Sequence, residues 1–488
     1  MINSYQDTIV APATTPGTGA ISIIRISGPE TFQIADAVVK LKSGTISEAE
    51  AYTIHFGEVY TVKSSETPPV IPSEVEGSLL DEVLVSVFRA PHSYTGEDSA
   101  EISTHASAYI VNEVIGLLLK AGARFAEPGE FTRRAFLNGK MDLAQAEAVA
   151  DVIASSTAAS HRVAMNQLKG GFSAQLASLR SQLLEMASLL ELELDFGEED
   201  VEFADRKQLL ALLEETQKHV DELAASFHQG NMIKNGVPVA IVGPANAGKS
   251  TLLNALIGEE RAIVTDIPGT TRDTIEETMN LGGILFRFID TAGIRESSDT
   301  VEKMGIDRTF RKISEAEIVL CMLDAQSKEN DLLNNLQVLF QHVNSNCQKV
   351  FILLNKVDQI ASEGINKNVS AINKFVSSSD YKAKLITLSA KEGKGLPELK
   401  DALYQEEKGL ISNDDSTFVT NVRHFEALQN ASSALSDCRT SLSRGIPSDL
   451  VAEDLRRALA SINSILGTDL LDPEVILHNI FSKHCIGK

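Results

Sequence analysis

The chain has 488 residues and a net charge of −23, set by 44 Lys plus Arg against 67 Asp plus Glu, with 43 % hydrophobic residues. That length predicts about three domains, the composition excludes wholesale disorder, and the acidity argues against a generally basic nucleic-acid binder. Apolar runs such as Ile318 to Leu323 fall short of the ~18 residues of a membrane span, no signal-peptide pattern opens the chain, and four cysteines lack C-x-x-C spacing. A cytoplasmic protein with no membrane partner is expected.

In chain order, the first ~120 residues read as mixed α and β. Ala20 to Ile26 and Glu82 to Phe88 have the pattern of buried strands, and Ser64 to Ser78, rich in Ser, Glu and Pro, reads as a solvated loop. Beyond about residue 140 the texture turns helical. Leu176, Leu179, Leu183, Met186, Leu190 and Leu194 share one helix face, and an acidic run from Glu191 to Glu202 follows as a solvated face. From about 236 to 406 strands alternate with helices, as in a parallel sheet with crossovers. The last ~80 residues are helical again, with Leu455, Leu459, Ile462 and Leu466 at helical spacing. Helices on both sides of an α/β block predict that the block is inserted into one helical domain.

The α/β block carries the chemistry. Pro238 to Val242 is a strand, Gly243 to Ser250 reads Gly-Pro-Ala-Asn-Ala-Gly-Lys-Ser, and a helix follows. This is a phosphate loop in its proper context: glycines let backbone N–H groups curl around phosphates at a helix N-terminus. Lys249 supplies a point charge, Ser250 a hydroxyl for Mg²⁺, and Asn246 an amide oxygen that suits a monovalent cation beside the β/γ-phosphates. A second strand ends in Asp290-Thr291-Ala292-Gly293, within reach of the Mg²⁺ shell and the γ-phosphate. A third ends in Asn355-Lys356-Val357-Asp358, whose Asp358 carboxylate accepts from the N1–H and 2-amino group of guanine. Adenine has neither donor, so ATP would leave that carboxylate unpaired. A fourth leads to Ser389-Ala390-Lys391, suited to closing over the base. Together these motifs specify GTP. Gly269-Thr270-Thr271 lies where a switch belongs, with Thr271 as second Mg²⁺ ligand. Ile294 stands where Ras-like GTPases place a water-orienting Gln, so another group must orient the water.

Further segments carry a resemblance over essentially the whole chain. They are Asp7-Thr8-Ile9-Val10-Ala11, Arg25-Ile26-Ser27-Gly28, Ser93 to Asp98, Pro128 to Thr132, Ala135 to Leu143, and a terminal Cys485-Ile486-Gly487-Lys488. With the GTPase set, they make the chain resemble the MnmE (TrmE) family of bacterial tRNA-modifying GTPases. The resemblance implies an α/β P-loop GTPase domain (233–407) inserted into an all-α helical domain (123–232 and 408–488), preceded by an α+β folate-binding, dimerising domain (1–122). It further implies K⁺-dependent GTP hydrolysis that installs a carboxymethylaminomethyl or aminomethyl group at C5 of a tRNA wobble uridine. The implied partners are a second copy in a homodimer, the flavoprotein MnmG in a heterotetramer, and tRNA. The one-carbon unit would come from 5-formyl- or 5,10-methylene-tetrahydrofolate.

By the same resemblance K⁺ is held by Asn246, Thr265, Ile267 and Thr270, and Mg²⁺ by Ser250 and Thr271. The nucleotide pocket then comprises Asn246-Ala247-Gly248-Lys249-Ser250-Thr251, Thr265-Asp266-Ile267-Pro268-Gly269-Thr270-Thr271, Asp290 to Gly293, Asn355, Lys356, Asp358 and Ser389 to Lys391. Glu302 corresponds to the general base, Cys485 to the family's C-terminal thiol, and Arg25, Glu101, Lys140 and Lys488 to the folate contacts. Lys483, His484 and Lys488 around Cys485 favour its thiolate. His484 and His105-Ala106-Ser107 depart from the family's usual aromatic residue and His-Gly-Gly or His-Gly-Ser. The alternative is an Era-like ribosome-assembly GTPase, which shares the phosphate loop and the aliphatic Ile294. Against the overall acidity, tRNA is expected to be held by a local basic patch such as Arg124, Arg133, Arg134 and Lys140, or by the partner protein.

Overall fold

The computed structural model describes residues 7–61, 77–195, 206–258, 277–289, 313–343, 348–379, 381–411, 417–444, 446–468 and 487. Most of the loop expected at 64–78 and most of the acidic run after 190 lie outside these residues. The chain divides into two compact units, Met1–Ala150 with Asn463–Lys488, and Asp151–Ile462.

The first unit is built on seven strands: β1 (Ile9–Pro12), β2 (Ile21–Ser27), β3 (Val39–Leu41), β4 (Thr53–Tyr60), β5 (Leu79–Phe88), β6 (Ser99–His105) and β7 (Arg124–Phe125). They lie in the order β3-β4-β5-β6-β2-β1-β7. All pairs are antiparallel except β7, which runs parallel to β1. Strict alternation sends Ile24, Ile26, Val83, Val85, Val87 and Ile102 to one face, where Val114 and Leu118 of the helix Ala108–Lys120 cover them. Over β4, β5 and the start of β2 the opposite face is open, with Ile21, Ile54 and Leu84 exposed, while Ile9 and Ala11 on it are covered. This unit runs past the expected boundary at 122, because β7 completes its sheet and the helix Glu130–Leu137 packs Phe131 against Ile9 and Ala11.

In the second unit the stripe read from the sequence is a packing seam. Leu176, Leu179, Leu183, Met186 and Leu190 of the helix Gly171–Asp195 are all buried. The helix Arg206–Ala225 packs on Val422–Ser443, so helices flanking the α/β block in sequence meet in space. The block's sheet holds β8 (Val237–Val242), β9 (Glu277–Leu281), β10 (Ile284–Phe288), β11 (Ile318–Asp324), β12 (Lys349–Asn355) and β13 (Ala383–Thr387). Their order is β13-β12-β11-β8-β10-β9, parallel except for the β9–β10 hairpin. The central strands read as unbroken apolar runs because both faces are covered. Leu252, Leu256, Leu399 and Leu403 cover one face, and Leu332, Leu336 and Ile372 the other. Parallel pairing puts the carboxyl ends of β8, β11, β12 and β13 on one edge, where open α/β sheets bind ligands.

Candidate functional site

The phosphate loop leaves β8 at that edge. Gly243 has φ 148°, and a Cβ there would run into the Met322 carbonyl. Asn246 takes the left-handed conformation at φ 59°, which Asn tolerates better than most residues. Gly248 follows at φ 101°, where a side chain would strike the Asn355 amide. The helix Lys249–Gly258 then starts, so its N-terminal N–H groups and its dipole face the loop. Lys249 Nζ donates to the Gly243 and Pro244 carbonyls at 2.9 and 2.8 Å, which sets the ammonium across the loop's mouth.

Asn355 ties three motifs together. It is 3 % exposed; its Nδ2 donates to the Ala247 carbonyl at 2.8 Å, and its Oδ1 accepts from the Ala390 N–H at 3.0 Å. One side chain thus joins the phosphate loop to the base-closing loop. Asp358 follows on the one-turn helix Val357–Gln359, and a hydrogen bond from Ser389 chiefly holds its carboxyl below the usual range, with the Lys391 charge assisting. It therefore stays an acceptor, as guanine requires. Asn246 to Thr251, Asn355 to Asp358 and Ser389 to Lys391 accordingly share one edge of the sheet. Thr265 to Thr271, Asp290 to Gly293, Ile294 and Glu302 lie outside the described residues. Sequence reading missed Asp324, which ends β11 beside Asn355 and whose Oδ2 meets Lys356 Nζ at 2.6 Å. An acid terminating a fully apolar parallel strand is the signal that marks it.

A second polar cluster occupies the open face of the first unit. Arg25 on β2 lies opposite Glu101 on β6, which lies opposite Ser86, which lies opposite Ile54. Arg25 donates to Glu101 Oε1 from Nε at 3.0 Å and from Nη2 at 2.8 Å, and from Nη1 to the Gly487 carbonyl at 3.3 Å. Its guanidinium also lies over the rings of Tyr94 and Phe131, at 5.2 and 5.7 Å. Lys140 reaches the Pro91 carbonyl at 3.0 Å and flanks Gly96, at the other side of the 91–98 loop. Arg25, Glu101 and Gly487 are therefore brought together. Lys488, Cys485 and His484 themselves lie outside the described residues. Cys321 and Cys438 are buried, and burial pushes both thiols up to about 12, which leaves them inert.

Two family models match the chain in succession. Residues 8–140 match the family model of the GTP-binding protein TrmE N-terminus, and residues 143–485 match that of the MnmE helical domain. A tRNA modification GTPase MnmE from Bacteroides fragilis is 48 % identical over 99 % of this chain and 100 % of its own. Its counterpart from Cytophaga hutchinsonii is 46 % identical over 100 % and 99 %. The chain belongs to the MnmE family of tRNA modification GTPases. Among solved structures, a GTP-binding protein from Sulfolobus solfataricus in complex with GDP is 21 % identical, covering 48 % of this chain and 67 % of that one at a TM-score of 0.28. So low a score carries no argument.

As a member of the MnmE family the chain is a GTPase, and the phosphate loop above is the matching machinery. Among the described residues no helix is long and apolar enough to cross a membrane. One expectation about the family's tRNA needs correcting. Arg124, Arg133 and Arg134 do not form an open basic patch. The Arg134 side chain is 0 % exposed and donates to the Asp7 carbonyl at 2.9 Å, to Asp7 Oδ1 at 2.8 Å and to Glu130 Oε1 at 3.0 Å. Arg124 pairs with Asp7 at 2.7 Å and with Glu130 at 2.6 Å, and Arg133 with Glu127 at 3.1 Å. A guanidinium already neutralised by carboxylates releases few counterions on meeting a phosphate. Of the four, Lys140 alone has no acidic partner among the described residues, and it donates to the Pro91 carbonyl.

Proposed function

We propose that this chain is a K⁺-dependent GTP hydrolase that acts with the flavoprotein MnmG, as a homodimer within a heterotetramer, on certain cytoplasmic tRNAs. The product is a carboxymethylaminomethyl or aminomethyl group at C5 of the wobble uridine, built with a tetrahydrofolate one-carbon unit. The observation that carries the GTP half is Asn355, buried between the Ala247 carbonyl and the Ala390 N–H, which makes phosphate binding and base binding one structure. Guanine is read by the Asp358 carboxylate, which a hydrogen bond from Ser389 holds below its ordinary range. Backbone N–H groups of the loop and Lys249 bind the phosphates.

The donor set fits the ions. Ser250 in the first helical turn offers Mg²⁺ a hydroxyl together with Thr271, and Asn246 offers K⁺ an amide oxygen with Thr265, Ile267 and Thr270. Bound there, K⁺ supplies positive charge where the leaving phosphate gains negative charge, in place of an arginine finger. Glu302 is the proposed base that takes the proton of the attacking water. In the first unit, Arg25 and Glu101 together offer cation and acceptor to a folate, with Lys140 and Lys488 for its glutamate tail. The open face around them, with Ile21, Ile54 and Leu84 exposed, supports dimerisation through the same unit. The packing of Arg206–Ala225 on Val422–Ser443 supports a GTPase domain inserted into a helical one. Cys485 is proposed to act in the uridine chemistry.

The reading is tested on the purified full chain by GTP turnover in K⁺ against Na⁺ at equal ionic strength. We expect turnover at least about tenfold faster in K⁺, a modest share of what a supplied charge is worth elsewhere. Equal rates would remove the cation mechanism. Mass spectrometry of wobble uridines from a deletion strain checks the second half, where unmodified uridine is expected and normal modification would refute it.

A further inference from the structure

The nucleotide edge contains a charged pair that the motifs do not explain. Lys356 precedes Asp358 by two residues and adopts the left-handed region at φ 65°, an uncommon conformation for a residue with a long side chain. It is the N-cap of the single turn Val357–Gln359 that carries Asp358. A change in its backbone dihedrals therefore swings Asp358. Its Nζ lies 2.6 Å from Asp324 Oδ2, and the two side chains are only 25 % and 18 % exposed. The other oxygen, Asp324 Oδ1, accepts from the Gln326 N–H at 2.9 Å, so the carboxylate is anchored within its own loop. Beneath the pair the strand ends are clamped as well. The Ala325 N–H donates to the Asn355 carbonyl, and Asn368 Nδ2 to the Ala325 carbonyl, both at 2.9 Å. An exposed ion pair between two mobile side chains contributes little. Here one partner is fixed, the contact is short, and it acts on a strained residue next to the base-reading acid.

We propose that Asp324 is a positioning residue for guanine recognition: by holding Lys356 it fixes the turn that aims Asp358 at the base. The inference rests on the assignment of guanine to Asp358 made above. The partners of the Asp324 side chain among the described residues are Lys356 and the Gln326 N–H, so its effect should fall on affinity and base choice and spare hydrolysis of bound GTP.

Inosine nucleotides separate positioning from bulk stability, because hypoxanthine lacks the 2-amino donor that Asp358 reads. The ratio of IDP to GDP dissociation constants therefore reports where the carboxylate sits. In the full chain we expect Asp324→Asn to raise KM for GTP about tenfold with kcat within twofold, and to cut the IDP-to-GDP ratio at least threefold. Asp324→Glu, which keeps the charge but moves it by one methylene, should give an intermediate ratio and serves if the Asn variant does not fold. Lys356→Met by itself weakens GDP binding, because Lys356 belongs to the nucleotide pocket; adding Asp324→Asn to it should cost less than a further twofold, since Asp324 acts through Lys356. A lowered melting temperature with an unchanged ratio, or fully additive losses in the double variant, would overturn the proposal. The control is Asp358→Asn: if it leaves the ratio untouched, the guanine assignment itself falls, whatever Asp324 does.

Discussion

The two polar sites of this chain are built in opposite ways. The nucleotide edge of the second unit is made mostly of backbone: left-handed and glycine positions at 243, 246, 248 and 356, helix N–H groups, and one buried amide at Asn355. The Arg25–Glu101 face of the first unit is made of side-chain charges. Behind it lies a network in which Arg134 meets Asp7, Glu97 and Glu130, while Glu97 accepts from Ser27 at 2.9 Å, two residues along β2 from Arg25. The backbone site depends first on the shape of its loops and only then on the charges of Lys249 and Asp358. The side-chain site should behave conversely, because removing one partner strands the others in a low-dielectric interior.

The sharpest break between them is Arg134→Met. It leaves Glu130, whose side chain is 0 % exposed, short of one cation, and about 3–5 kcal/mol of first-unit stability should be lost. GDP affinity should not move. Differential scanning calorimetry with GDP titration checks both, and a loss of GDP binding would show that the two sites depend on one another. Next in size is Asn355→Ala. It strips the partners from the Ala247 carbonyl and the Ala390 N–H, two buried groups at about 1–3 kcal/mol each. GDP should bind roughly thirtyfold more weakly or worse. The first unit's melting transition should stay where it is, and a shift in it would blur the comparison.

A smaller effect is the acid limb of stability. Burial acts to raise the Glu130 carboxyl, but hydrogen bonds from Arg124 and the Glu127 N–H and the charge of Arg134 outweigh it and hold the group below its ordinary 4.5. Asp7 is likewise lowered from 3.8, with burial opposing and Arg124 and Arg134 prevailing. A depressed folded value means that the unfolded chain takes up these protons first. The stabilisation is therefore complete above about pH 4.5 and is lost as pH falls through the folded values. Circular dichroism melts between pH 6 and about pH 3 should show the first unit weakening as pH drops below that point, less so in Glu130→Gln. Equal pH dependence in the variant would assign the acid limb to other groups.

The contrast also explains what the sequence disclosed. The nucleotide site was legible because each motif is contiguous and follows a strand, and parallel pairing brings every strand's carboxyl end to the same edge. Val350 to Leu354 announces itself as buried on both faces, and Asn355 follows by continuity. Lys249 and Ser250 are placed by the same logic. The first unit offered no such rule. Arg25 meets Glu101 and the Gly487 carbonyl across most of the chain's length, and only antiparallel register brings the first two face to face. Those residues were found by resemblance to a family and not by spacing. The basic-patch expectation failed for the same reason. Arg124, Arg133 and Arg134 look like a cationic cluster in one dimension, while Asp7 and Glu97 that neutralise two of them are far away in sequence. Asp324 was passed over because the acid that ends this apolar strand belongs to no motif, and its partner Lys356 lies 32 residues further on.

The central claim is that the chain's nucleotide is read as guanine by Asp358 at this edge. The most direct measurement is the affinity of the purified full chain and of Asp358→Asn for GDP and for xanthosine diphosphate, whose base carries a carbonyl in place of the 2-amino group. The account predicts strong preference for GDP in the unaltered chain and reversal to the xanthine nucleotide in the variant, because an amide NH₂ donates where the carboxylate accepted. Equal affinity of both proteins for both nucleotides would contradict it.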